Sequence, residues 1–359
     1  MIRQLFSELS AIGEFQVDHL PFNFSLSFSN LRRLSFHKLF EVLRVWSRMI
    51  GLRCGGPVDL LWYPAGGPQT VPVIRDILLL PVLSAFAKKT VIHFHAAGIA
   101  DRLGQKPGLL GNLLRLATSR ANMAIVMTKF NRRDPEALGI HRIKILPHRM
   151  DDANPSGLLP ESKRDSANFL YVGHLYDQKG TPQLLRAFSR VIKLHPEAHL
   201  TLIGDYLSPF SEFACRAMLK SLELEQHVTL AGVKIGTEKD AFFRRSNCFV
   251  FPTVAPYESF GLVLIEAMMW ALPIVATNWR GNRDVLGAEP GGICFDPDPP
   301  LDASIEKALL EFLREPDRWS AWGEANRQCY VEFFRTENTD LRYRSLLAAL
   351  LNAREDLDT

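Results

Sequence analysis

From about residue 58 the chain alternates short apolar or β-branched runs with amphipathic stretches, the pattern of parallel strands joined by helices. In the first half this predicts strands over residues 58–63, 90–95, 124–127 and 144–147. A polar segment over residues 151–166 then interrupts the pattern. It holds Pro155, Gly157, Pro160 and a charged tract at 161–165, and reads as a linker. The alternation restarts with a strand at 168–173 and a helix at 181–194, with Thr181 expected as its cap and Pro182 at the first helical position. Strands follow at 199–204, 228–231, 248–252 and 273–277, and helices at 316–327 and 335–352.

The fold class expected is α/β: two doubly wound, Rossmann-like domains facing a central cleft, with ligands beyond the carboxyl ends of the strands. The expected division is residues 1–160, residues 161–335, and a C-terminal helix at 336–359 packing back on the first domain. At 359 residues the chain suits two domains, and 47% hydrophobic against 23% charged residues is the balance of a globular protein. A net charge of +3 gives no ground for nucleic-acid binding. The five cysteines are scattered without a paired spacing, which argues against a zinc or redox motif and fits a reducing compartment. No apolar run reaches the roughly 18 residues a membrane span needs, and the opening residues lack the apolar centre of a signal peptide. A cytoplasmic protein is expected.

The strongest chemical signal follows the apolar run ending Phe251-Pro252. Tyr257-Glu258-Ser259-Phe260-Gly261-Leu262 leads into a helix that carries Glu266. With the helix starting near Glu258, the eight-residue offset between the glutamates spans about 12 Å and turns both toward one side, leaving room for a diphosphate. Backbone N–H groups around Ser259, Phe260, Gly261 and Leu262 form a natural phosphate site, and Gly261 permits close approach. Glu266 is placed for ribose hydroxyls and Glu258 for the sugar; the plain structural alternative is a helix-terminal charge and a buried acid. The second signal is Tyr171-Val172-Gly173-His174-Leu175 with Lys179-Gly180, a strand, a glycine-bounded loop and a helix. Beside the glutamate pair, Lys179 becomes a cation for the donor diphosphate.

These two motifs resemble those of the retaining glycosyltransferases of the GT-B fold, glycosyltransferase family 4. The likeness runs from about Asp59 to the C-terminus. It implies a donor site formed by Gly173, His174, Lys179, Ser259, Phe260, Gly261, Leu262 and Glu266, with Glu258 and Lys179 catalytic and no metal or other cofactor. The donor is a nucleotide-diphosphate sugar, UDP- or GDP-linked, held by the second domain; a glycan, lipid-linked or small-molecule acceptor belongs to the first. Three departures stand out. His174 occupies a position where arginine is usual, and Arg280-Gly281-Asn282-Arg283-Asp284 replaces a glycine pair and glutamate, so that Arg280 or Arg283 becomes a substitute source of charge. Residue 3 already reads as the helix that follows the family's first strand, so either the recorded start lies downstream of the true one or that strand is missing.

In the first half, Val91-Ile92-His93-Phe94-His95 ends a strand, with His93 and His95 on one face by alternation. The resemblance assigns His95 to the sugar or acceptor region as a catalytic residue; a packed strand-end histidine is the alternative. Asp296-Pro297-Asp298 has the acid-any-acid spacing of a metal site but is flanked by prolines and reads better as a turn. Between Leu31 and Ile50, apolar residues at helical spacing alternate with Arg32, Arg33, Lys38, Arg44 and Arg48. That is either a basic amphipathic helix in peripheral contact with a membrane or an ordinary packed surface helix. The expected function is metal-free transfer of a sugar to a hydroxyl acceptor with retention. The rivals are a sugar-nucleotide epimerase of the same fold and a non-catalytic sugar-nucleotide-binding protein.

Overall fold

The computed structural model describes residues 16–21, 36–54, 56, 58–104, 107–157, 167–288 and 291–352. The chain forms two compact units, residues 1–125 with 134–143 and residues 126–133 with 144–359. The part of the expected helix before Phe36 and most of the linker at 158–166 lie outside the described residues.

Unit 1 opens with helix α1 (Phe36–Cys54), then β1 (Val58–Ala65), α2 (Thr70–Ala85), β2 (Ala87–Phe94), α3 (Ile99–Leu103), α4 (Leu109–Thr118), β3 (Met123–Val126), α5 (Arg133–Ala137) and β4 (Ile143–Ile145). The sheet order is β1-β2-β3-β4, and β2 runs parallel to both β1 and β3. Val91, Ile92, His93, Phe94 and all of β3 are buried, which is why these runs are apolar apart from His93. Asp76 is buried at the sheet's edge; its carboxylate accepts from the Tyr63 hydroxyl at 2.7 Å and the Gly66 amide at 2.7 Å, and pairs with Arg75.

Unit 2 continues with β5 (Asn168–Val172), α6 (Thr181–Val191), β6 (His199–Ile203), α7 (Glu212–Ser221), β7 (Val228–Gly232), α8 (Gly236–Arg244), β8 (Cys248–Phe251), α9 (Leu262–Met269), β9 (Ile274–Thr277), α10 (Asn282–Leu286), β10 (Gly292–Phe295), α11 (Leu301–Leu313), α12 (Trp319–Phe333) and α13 (Thr336–Asn352). Its six strands are ordered β10-β9-β8-β5-β6-β7. The paired strands are parallel. One core, on Phe169, Phe188, Leu200 and Phe312, lies against α6 and α11; another, on Phe249, Leu264, Met268 and Tyr330, lies against α9 and α12. Helix α9 is apolar nearly all round because it is enclosed by that second core.

Three boundaries differ from the sequence reading, each because tertiary contact governs the helix end. The cap of α6 is Gly180, left-handed at φ 77°, and Thr181 is buried inside the first turn. The second glutamate helix begins at Leu262, after Gly261 at φ 64°, so residues 258–261 form a loop and the helical rise does not set the distance between the glutamates. Residues 316–318 are a 3-10 turn that leads into α12, which runs on to Phe333.

A Cβ on Gly180 would lie 2.3 Å from the Pro252 carbonyl oxygen, on top of the strain that its left-handed backbone imposes on any L side chain. Gly157, at φ 61°, has nothing within 4 Å of the same added atom. Gly180→Ala is therefore expected to cost about 3 kcal/mol and Gly157→Ala only about 1 kcal/mol, read by urea unfolding of the two variants.

Candidate active site

In unit 2 the chain winds outward through β5, β6 and β7, then returns to the other side of β5 and continues through β8, β9 and β10. The reversal falls between β5 and β8, which pair at Phe169–Cys248 and Leu170–Phe249. Crevices at such reversals are where open parallel sheets take their ligands, because neighbouring connections leave in opposite directions. Both sequence motifs sit there: the loop after β5 holds Gly173–Gly180, and the loop after β8 leads to Glu258 and α9.

The two loops are joined. The Val254 amide donates to the Gln178 carbonyl at 2.9 Å, and Gly180 is packed on Pro252. This carries Lys179 onto Glu258, with Nζ 2.5 Å from Oε2, both side chains largely buried. Thr253 Oγ1 donates to the same carboxylate oxygen at 3.3 Å, and the Lys179 ammonium lies 5.0 Å from the centre of the Phe251 ring. A buried carboxylate needs such partners to remain charged away from water. Lys179 and Glu258 meet directly, which leaves no space for a further group between ammonium and carboxylate.

Glu266 has its own cation. Lys239, from α8, places Nζ 2.7 Å from Oε1, and the other oxygen, Oε2, is buried with no hydrogen-bond partner among the described residues. One carboxylate oxygen is thus fixed while the other remains available to accept from a hydroxyl donor. Lys239 was not singled out in the sequence. It lies 27 positions before Glu266, and nothing but the placement of α8 before β8 and α9 after it brings them together.

The remaining donor-site candidates divide by burial. Gly173, at φ 154°, and exposed His174 form the turn after β5, where the Tyr171 hydroxyl donates to the His174 carbonyl at 2.8 Å. Ser259 is buried, and the Phe260 ring is enclosed between His148 and Phe334, so Phe260 can offer a ligand only its backbone. Leu262 is partly exposed at the start of α9. Arg283 donates to the Ala288 carbonyl at 3.0 Å. Arg280, at φ 51°, lies over the rings of Trp279 and Phe130 at 5.5 and 5.6 Å. Asp296 accepts from Asn278 at 2.8 Å, and no cluster of three metal-ligating side chains occurs among the described residues.

In unit 1, His95 follows the end of β2 with its ring 4.1 Å from that of His93, which accepts from the Trp62 indole at 3.3 Å. Burial lowers the His95 pKa to about 4. The imidazole is therefore neutral near pH 7, suited to hydrogen bonding with hydroxyls and not to supplying positive charge.

Residues 160–329, which contain both loops and both ion pairs, match the family model described as glycosyl transferases group 1. This segment is similar to a glycosyl transferases group 1 domain. An uncharacterized glycosyltransferase of Methanocaldococcus jannaschii is 33% identical over 127 residues, 35% of this chain and 30% of that protein. A D-inositol 3-phosphate glycosyltransferase of Paenarthrobacter aurescens is 30% identical over 140 residues, 38% of this chain and 34% of that protein. The chain spans about a third of the length of the first curated relatives it matches. Among solved structures, sucrose-phosphate synthase from Thermosynechococcus elongatus superposes with a TM-score of 0.71 at 19% identity, covering 97% of this chain and 93% of that one. Anabaena HepE in complex with UDP gives 0.67 at 14% identity, covering 85% and 82%. The architecture of parallel sheets in two Rossmann-like units is the GT-B fold. The match to the family model spans β5 through most of α12 and leaves His95 outside it.

The depressed His95 pKa has a consequence for stability. Unfolded histidine takes up a proton near pH 6.5 whereas folded His95 does so only near 4, so the unfolded state binds more protons and stability is lost as pH falls through that window. His95→Gln should remove about 3 kcal/mol of the loss between pH 7 and pH 4, measured by urea unfolding at the two pH values.

Proposed function

We propose that the chain transfers a sugar from a nucleotide-diphosphate donor to a hydroxyl acceptor, as a retaining, metal-independent enzyme of glycosyltransferase family 4. The observation that carries this reading is the convergence of Lys179, Glu258 and the start of α9 at the strand reversal of a segment that matches the group 1 model. The UDP bound to the structurally similar Anabaena HepE supports a nucleotide donor, and UDP- or GDP-linked sugars are the classes proposed.

In the reaction, the bond from the sugar's anomeric carbon to the diphosphate oxygen breaks, the electron pair leaves with the diphosphate, and an acceptor hydroxyl oxygen bonds to that carbon while its proton passes to the departing diphosphate oxygen. Lys179 and the backbone amides at the start of α9 stabilise the charge developing on the departing diphosphate, which is the contribution otherwise made by a metal. Glu258 orients the donor sugar while holding Lys179 in place, and Glu266 accepts from the ribose. His95, neutral, is assigned to the sugar or acceptor region of unit 1. The reading further places the protein in the cytoplasm, with peripheral membrane contact through residues 31–50; among the described residues no helix is long and apolar enough to cross a membrane. The division of labour between a donor domain at 161–335 and an acceptor domain at 1–160 belongs to the same proposal.

A thermal-shift series with UDP, GDP, ADP and their sugars should raise the melting temperature for one base class, since a ligand of the folded state stabilises it. No rise with any of them would end the reading. Glu258→Gln is expected to lower the rate of sugar transfer about 10²- to 10³-fold with the fold intact by circular dichroism, and full activity in that variant would remove Glu258 from the scheme. Lys239→Met should weaken binding of the preferred nucleoside diphosphate about tenfold in calorimetry yet barely alter binding of its 2′,3′-dideoxy form, because the lysine acts through the glutamate that holds the ribose.

A further inference from the structure

Unit 1 turns apolar side chains toward solvent in a helical pattern. On α4, Leu109, Leu113 and Leu116 follow an i, i+4, i+7 spacing and are 79%, 39% and 70% exposed, while Leu114 and Ala117 on the other face are buried. On α1, Phe40, Leu43 and Ile50 are at least half exposed, while Val42, Val45 and Met49 are buried. Helix α2 packs against both α1 and α4, and its Leu78 is exposed as well. These three helices hold seven of the fourteen large apolar side chains exposed among the described residues, so the feature is concentrated and not the ordinary scatter of a protein surface.

Charge is concentrated on the same unit. Unit 1 has fifteen lysines and arginines against nine aspartates and glutamates, a formal +6; with the whole chain at +3, unit 2 carries −3. Within unit 1, the stretch from Arg102 to Arg120, which contains α4, has no acidic residue and four basic ones, both ends included. Several carboxylates of the unit are engaged internally: Glu41 with Arg44 at 2.6 Å, Asp59 with Lys88 at 2.7 Å, and Asp134 with the Gly98 and Ala100 amides. A nucleic acid would match the cations but not the leucine face. An apolar layer beneath anionic head groups matches both.

We infer that unit 1 docks through α1 and α4 onto a bilayer containing anionic phospholipid. This extends the contact beyond residues 31–50 to a second helix and assigns the lipid's charge; it does not depend on the donor reading. The test is flotation of the full chain with phosphatidylcholine vesicles, with and without one-third phosphatidylglycerol. The chain should float with the anionic vesicles alone and be released as salt rises to about 0.5 M. Leu109→Ser combined with Leu113→Ser and Leu116→Ser should lower the bound fraction at least roughly tenfold with an unchanged circular-dichroism spectrum. If that triple variant fails to fold, Arg120→Glu, at the exposed end of the same stripe, should lower it in the same direction. Equal flotation with both vesicle types, flotation with neither, or no response to either variant would overturn the inference. So would a wild-type dimer in light scattering that the triple variant dissociates, which would make the face a contact between two copies.

Discussion

The site depends on one steric constraint: the loops after β5 and β8 must lie in van der Waals contact. Gly180 rests on the Pro252 carbonyl with no room for a side chain, and the Val254 amide closes the same contact with a hydrogen bond to Gln178. A methyl group at residue 180 would push the loops apart, and Lys179 would move with its loop. The ion pair between Lys179 and Glu258 is therefore a product of backbone packing. Left-handed backbone at Gly180 and Gly261 serves it at both ends, one starting α6 and the other starting α9.

Electrostatics then shapes what the packed loops can do. Glu258 and Glu266 each come with a lysine from elsewhere in the chain, Lys179 and Lys239, so neither carboxylate is buried without compensation. The two pairs differ in their free capacity. Glu258 Oε2 is shared between Lys179 and Thr253, whereas Glu266 keeps Oε2 without a partner among the described residues. One pair sets the Lys179 ammonium at the strand ends with its charge balanced by Glu258, and the other keeps an acceptor oxygen on Glu266. In unit 1, His95 shows the opposite handling of charge, since burial keeps it neutral.

The hydrophobic pattern alone determined that this chain is α/β, where its principal strands lie, and that Gly173, Lys179, Glu258 and Glu266 belong to loops and helices at strand ends. Buried parallel strands must be continuously apolar and their connections amphipathic, so both are written locally, within windows of a few residues. The tertiary structure decided what depends on distant neighbours. The winding reversal that sets β8 against β5 brings Lys179 to Glu258 across 79 positions, and no local pattern encodes that pairing. Gly180 replaced Thr181 as the cap, and Gly261 delayed α9 to Leu262, because in each case a close approach between segments outweighed the local capping preference. Phe260 and Lys239 exchanged roles for the same reason: the ring of the first fills the core beside His148 and Phe334, and the second reaches Glu266 from α8, the helix before β8. Residue type and short-range spacing fix which groups can do chemistry, and packing over long sequence separations fixes which of them meet.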